Sequence, residues 1–245
     1  MTPSNASPYV DWPAPARVAA LVTTRAGGVS RGPYASLNLA THVGDDAAAV
    51  LENRRRLRAS LPAEPAWLNQ VHGCDVLRAE EVKPDAQADA VYTRGFNTVC
   101  AVLTADCLPL LMCDDVGSVV AAAHAGWRGL AGGVIEATVR AMDVAPARLL
   151  AWLGPAIGPQ AFEVGGEVRE AFVAHFAEAV TAFTPRQNGK WSADLYTLAR
   201  QRLAAQGVAR VFGGGECTFS DAQRWYSYRR DGETGRMATM IWLRN

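Results

Sequence analysis

No charge of either sign prevails in this chain: 24 lysines and arginines offset 24 aspartates and glutamates across 245 residues. Without a basic excess nothing stands ready to neutralise a phosphate backbone, which argues against nucleic acid as a main partner. No apolar run approaches the roughly 18 residues that a bilayer span requires, so no membrane segment is expected. The opening Met1-Thr2-Pro3-Ser4-Asn5 carries neither a charged n-region nor an apolar stretch, and no signal peptide is expected there. The five cysteines (74, 100, 107, 113 and 217) are an odd count with no CxxC pair. That pattern points to free thiols in a reducing cytoplasm rather than to a disulfide framework. Histidines are scarce as well, four in all, at 42, 72, 124 and 175. Low-complexity tracts, charge blocks and long linkers are missing, and no short repeat recurs.

What is present is an ordinary globular composition, 49% apolar and 20% charged, in a chain long enough to bury a substantial core. No compositional break divides it, so a single domain over residues 1–245 is expected, with an irregular, Pro-rich lead-in over residues 1–16. Val18 to Thr23 reads as a strand entering the glycine loop Thr24-Arg25-Ala26-Gly27-Gly28-Val29-Ser30. Asp45-Asp46 caps a helix to about Ser60, with Val50, Leu51 and Leu57 inward and Arg54, Arg55 and Arg58 outward.

Short β-rich runs follow at residues 66–68, 75–77, 98–104, 109–113 and 119–124, the last three apolar enough to be covered on both faces. Helices are expected over residues 130–142, 167–179 and 194–205, the last capped by Asp194 with Leu195, Leu198 and Leu203 inward. Strands at 149–153, 208–212 and 238–243 complete a pattern of mixed strands and helices, an α/β or α+β domain with central sheets.

Two of these strands halt at soft, ionisable side chains: Thr104-Ala105-Asp106-Cys107 and Ala122-Ala123-His124-Ala125-Gly126-Trp127-Arg128-Gly129. A lone cysteine there is more often core filler, and a histidine closing a strand can simply bond a carbonyl. Their context favours chemistry. Gly126 and Gly129 permit close backbone approach, and the helix start beyond them, with Arg128, would make an anion pocket. Trp127 offers a flat face for a base or sugar, or a core ring. His72, in Gln70-Val71-His72-Gly73, is the third such side chain, in what reads as a turn. Two imidazoles and a thiolate would leave the fourth tetrahedral position of zinc open, as a catalytic site requires. The same cysteine and histidine could instead be a nucleophile and its base. Arg25 is a second anion-binding candidate, and Asn38 in Ser36-Leu37-Asn38-Leu39 is a turn former or a ligand contact.

On these segments, together with Leu108-Pro109, Leu153-Gly154-Pro155-Ala156-Ile157-Gly158-Pro159 and Tyr228-Arg229-Arg230-Asp231, the chain resembles the bacterial laccase-domain family. Its members are also called multicopper polyphenol oxidoreductase-like proteins, peptidoglycan editing factors and purine nucleoside phosphorylases. The resemblance runs in order over nearly the whole chain. It implies a four-layer α/β/β/α sandwich with mixed sheets, like the catalytic domain of the cytotoxic necrotizing factor toxins. It also implies zinc held by His72, Cys107 and His124, the same residues being catalytic.

The implied activities are phosphorolysis of adenosine, inosine, guanosine and methylthioadenosine and deamination of adenosine, with nucleoside and phosphate as partners. Arg25, Asn38 and Arg128 are the candidate substrate or phosphate contacts, and Asp106 or Glu163 the candidate proton shuttle. A multicopper oxidase needs on the order of ten histidines for its blue-copper and trinuclear sites, and four are present. Any copper-dependent phenol oxidation would therefore need one differently built site. One alternative keeps the pocket, an amidase removing a wrongly incorporated amino acid from a UDP-muramoyl precursor; another is a non-catalytic metal-binding protein, for which the anion-friendly glycine turn would have no purpose.

Overall fold

The computed structural model describes residues 10–245. Among the described residues, regular structure begins at β1 (Val18–Val22) and continues through α1 (Ala47–Arg58), β2 (Pro65–Ala66), β3 (Val76–Arg78) and β4 (Ala90–Thr93). Next come β5 (Val99–Thr104), β6 (Leu108–Asp114), β7 (Val120–Ala125), α2 (Trp127–Gly132), α3 (Val134–Met142) and β8 (Leu149–Leu153). β9 (Glu163–Val164), α4 (Gly166–Val173), β10 (Phe183–Pro185), β11 (Trp191–Ala193) and α5 (Leu195–Ala205) follow, and β12 (Arg210–Gly213), α6 (Tyr228–Asp231) and β13 (Met237–Leu243) end the chain. Of the expected irregular lead-in, residues 10–16 bear no helix or strand, and the remainder lies outside the described residues.

Two mixed sheets form the centre, one of four strands in the order β1-β13-β5-β2 and one of six in the order β12-β8-β6-β7-β4-β3. The period-2 alternation of each strand sorts its side chains between two apolar layers. On β5, Val99, Ala101 and Leu103 face α1 with Leu57 and Leu61, while Cys100 and Val102 face the other sheet. On β6 and β7, Leu110, Met112, Ala121 and Ala123 pack with Ile135, Val139, Leu198 and Leu203 of α3 and α5. Their alternates Leu111, Cys113, Val120 and Ala122 meet Val102 and Ile241 between the sheets. The layers therefore run helix, sheet, sheet, helix, as the resemblance implied. Both faces of β5, β6, β7, β8 and β13 are covered, which is why these strands read as unbroken apolar runs.

Several local expectations change. The helix expected over residues 130–142 is two helices, because Gly133 takes φ 103 and ends α2. The helix expected to reach 179 stops at Val173 and is followed by a tighter 3-10 stretch, Ala177–Ala182. Leu51 is 71% exposed, and the inward face of α1 is Val50, Asn53 and Leu57. Arg54 does not stand free in solvent: it lies over the Trp67 ring at 4.3 Å and donates from Nε to the Leu39 carbonyl at 2.9 Å. Buried Asn53 earns its place by bonding Ser30, the carbonyls of Ser36 and Asn38, and the Val29 amide, which clamps the first glycine loop to α1.

A candidate metal centre where the two sheets end

β5 and β6 belong to different sheets, yet only Ala105, Asp106 and Cys107 connect them. So short a crossing requires a sharp turn, which Asp106 supplies at φ 92. Its carboxylate takes the Thr218 hydroxyl at 2.6 Å and the Arg229 backbone N–H at 2.6 Å, and its carbonyl takes the Ile157 N–H at 2.9 Å. Cys107 is thereby held at the lip between the sheets. Beside it His124, opposite Pro109 in the β6–β7 register, projects on the face shared with Val120 and Ala122.

His72 comes from the loop before β3, with φ 61. One residue that the sequence reading did not single out organises this loop: Asp89, fully buried just before β4. It accepts the amides of Val71 (3.2 Å), His72 (3.0 Å) and Gly73 (2.6 Å) and also meets His124 Nδ1 at 2.8 Å. Gln70 anchors the same loop from the other side, pairing with the backbone N–H and C=O of Leu103 at 2.7 and 2.8 Å. Nothing local marks Asp89, because all its partners are distant in sequence.

The Cys107 sulfur and one ring nitrogen from each of His72 and His124 lie within 4.8 Å of one another. His72 Nε2 is 3.9 Å from Cys107 Sγ, and the two imidazoles meet edge to face at a centroid distance of 4.8 Å. His124 is buried, Cys107 partly buried and His72 exposed, so the group opens to solvent on the His72 side.

Burial pushes the Cys107 thiol up, but the His124 charge and hydrogen bonds from both imidazoles prevail and bring it down to about 6. Burial likewise lowers His124, and the Cys107 charge and Asp89 overcome this, raising it to about 9. Asp89, raised by burial, is held below the usual carboxylate range by His124 and by the loop amides. A ready thiolate, two imidazoles and a carboxylate behind one of them are the donor chemistry that zinc takes. The backbone leaves room for it: a Cβ on Gly126 would stand 2.9 Å from His72 Cδ2 and 3.0 Å from Cys107 Sγ. A Cβ on Gly129 would meet the Gly73 carbonyl oxygen at 2.8 Å, so that glycine lets α2 pass the His72 loop.

The three donors lie in a cleft of 340 Å³ that His42, Gln70, Thr104, Tyr228 and Arg236 also line. A second cavity of 130 Å³ adjoins it and shares Ala105, Cys107 and Tyr228; its other walls include Trp127, Ile157, Phe162 and Leu195. The site thus has a polar arm and an apolar arm that meet at Cys107. Burial, Arg236 and Arg54 together lower His42 below its ordinary value, which keeps the ring neutral at pH 7.

Other sequence candidates sit elsewhere. Arg25 donates to the carbonyls of Ala35 and Ala222 at 3.0 Å each and stacks over Tyr226 at 4.8 Å, pinning the first glycine loop. Asn38 is fully buried; its Oδ1 accepts the backbone amides of Ala40 and Arg236 at 3.0 Å each, so it reaches the cleft only through Arg236. Arg128 is exposed over the Trp127 ring at 4.4 Å and lines neither arm. Glu163 borders a separate open groove with Gln160 and Arg186. Arg236 is the cation in the polar arm, and its neighbours Thr234 and Gly235 carried no motif that would have exposed it.

Residues 19–244 match the family model described as multi-copper polyphenol oxidoreductase laccase. A Pseudomonas aeruginosa protein named purine nucleoside phosphorylase is 59% identical over 236 residues, covering 96% of this chain and 97% of that protein. The Escherichia coli purine nucleoside phosphorylase YfiH is 57% identical over 235 residues, covering 95% and 96% respectively. Among solved structures, a Neisseria meningitidis protein superposes with a TM-score of 0.93 at 53% identity, covering 96% of this chain and 98% of that one. YlmD from Geobacillus stearothermophilus gives a TM-score of 0.83 at 32% identity, covering 96% and 94%.

Proposed function

The chain belongs to the multi-copper polyphenol oxidoreductase laccase family, and from that premise we propose that it is a zinc-dependent purine nucleoside phosphorylase that also deaminates adenosine. The observation that carries this reading is the convergence of His72, Cys107 and His124 on a cleft divided into a polar and an apolar arm. The names of the relatives support the reaction class. The copper in the family description draws no support from the donors, since a trinuclear cluster needs many more imidazoles than four.

His72, Cys107 and His124 would hold the zinc, which when bound supplies Lewis-acid polarisation at the open side of the three donors. The chain's own residues do the rest. Asp89 takes the Nδ1–H of His124, fixing the tautomer and leaving Nε2 as the donor. Tyr228, 60% exposed where the two arms meet, offers a flat ring against which a purine can stack. Trp127, Ile157 and Phe162 line the apolar arm and exclude water from the base. In the reaction a phosphate oxygen bonds to the anomeric carbon as the bond from that carbon to the purine nitrogen breaks. The purine leaves with the electron pair and takes up a proton, and the sugar becomes a 1-phosphate. Adenosine, inosine, guanosine and methylthioadenosine are the proposed substrates. For deamination, Asp106 is a poor proton shuttle because both its oxygens are engaged, and Glu163 lies on the other groove.

A second reading has its own observation: Asp89, His124 and Cys107 are ordered as a carboxylate, a base and a thiol in a nucleophilic triad. Such a triad suits amide cleavage and has no use for His72, 3.9 Å from the sulfur, which favours the metal. Purified protein of known metal content, assayed on adenosine and inosine with and without phosphate, tests the proposal, with Cys107→Ala as control. Free base and ribose 1-phosphate from the wild type alone, lost on chelation, support it. Activity that survives chelation and disappears on thiol alkylation supports the triad. Turnover of a UDP-muramoyl amide and of no nucleoside overturns the proposal.

A further inference from the structure

The polar arm contains a cation that no carboxylate pairs. Arg236 is half-buried in the wall of the metal cleft, and among the described residues no carboxylate lies within 4.0 Å of its guanidinium. One edge of the guanidinium is committed: Nη1 donates to the carbonyls of Thr234 at 2.8 Å and Gly235 at 3.1 Å. The backbone is held as well, by the Arg236 N–H to Asn38 Oδ1 bond at 3.0 Å. Nε and Nη2 meet no protein acceptor among the described residues. Every fixed contact thus orients the side chain, and the donors left over are those of the fork edge, whose spacing matches two oxygens of a tetrahedral oxyanion. The Tyr228 ring stands 5.8 Å from the guanidinium, between it and the apolar arm.

A half-buried guanidinium with two free donors and no paired carboxylate is costly unless a ligand engages it. No aspartate or glutamate lines the 340 Å³ cleft, whose other ionisable groups are His42, Tyr228 and the three donors. A divalent ion would make the cleft more positive still. From this geometry we infer that Arg236, with His42 at the rim, is the oxyanion subsite of the cleft and takes inorganic phosphate. The nucleoside base then occupies the Trp127–Phe162 arm on the other side of Cys107, so the sugar spans the donors. This assignment rests on the phosphorylase reading, and it moves the anion from Arg25 and Arg128 to a residue in neither glycine loop. Asn38 is a positioning residue in this scheme, acting through the Arg236 backbone.

The test is titration calorimetry of inorganic phosphate into zinc-loaded and metal-free wild type, Arg236→Gln and Arg236→Lys, alongside steady-state kinetics of the loaded enzymes. Arg236→Gln is expected to weaken phosphate binding and to raise the phosphate KM about 10- to 100-fold, the worth of a charge-assisted fork. The nucleoside KM should change little. Arg236→Lys should recover part of the loss, since it restores the charge and not the fork. Phe162→Ala should do the converse, raising the nucleoside KM and sparing the phosphate KM. Circular dichroism and thermal melting check that each variant folds. Phosphate binding unchanged in Arg236→Gln, or the two KM values rising together, overturns the subsite. If wild type makes no ribose 1-phosphate and still binds phosphate through Arg236, the phosphorylase reading falls and the oxyanion subsite stands.

Discussion

The Asp89 carboxylate meets His124 Nδ1 at 2.8 Å and at the same time gathers the amides of residues 71–73, so one buried anion orients two of the three donors. Asp89→Asn keeps the shape but replaces an acceptor oxygen with a donor that faces N–H groups. Zinc affinity should fall about 10- to 100-fold, the usual range for an outer-sphere partner of a ligating histidine. Competition with a chromophoric chelator measures it, and unaltered affinity would remove Asp89 from the site.

Gly126 supplies space rather than flexibility. With a Cβ 2.9 Å from His72 and 3.0 Å from Cys107 Sγ, Gly126→Ala should abolish stoichiometric zinc binding while the fold persists. Metal analysis after gel filtration, with far-ultraviolet circular dichroism alongside, reads both halves of that statement.

The cysteines should separate by reactivity in the metal-free protein. Cys107, brought to about 6, is thiolate at pH 7, whereas buried Cys113 is pushed up to about 12 and Cys100 is raised by burial. Alkylation at pH 7 followed by peptide mass spectrometry should label Cys107 early and leave Cys100 and Cys113 unlabelled. Because the thiolate is the reactive form and is lost as pH falls through about 6, the Cys107 rate should drop below that pH. Zinc should protect Cys107. A rate that stays low until pH 9 would refute the charge arrangement.

Arg25 is tied into the first glycine loop, and its loss is expected to cost stability rather than phosphate binding. Removing its bonds to Ala35 and Ala222 and its stacking on Tyr226, Arg25→Ala should cost about 1–3 kcal/mol in a urea unfolding curve. The phosphate KM should be unmoved. A selective rise in that KM with stability intact would return Arg25 to the anion site.

Residue order along the chain was enough to place the apolar strands, because strands covered on both faces leave no polar alternation to misread. It was enough, too, to mark Cys107 and His124, each a soft ionisable side chain that closes such a run, and His72 beside a glycine, the three side chains the fold brings together. Pattern along the chain extended that far because burial of a strand and the end of that burial are both written in consecutive residues. Asp89, Arg236 and the two arms of the cleft depend on tertiary structure: their meaning lies in partners tens to hundreds of positions away. The same distance effect ties Arg25 and Asn38 into bonds with the backbone, and the Arg128 guanidinium lies over the Trp127 ring. Glycine loops advertise room for a ligand in the sequence, but which cation faces that room is decided by which carbonyls and carboxylates the fold brings to the others.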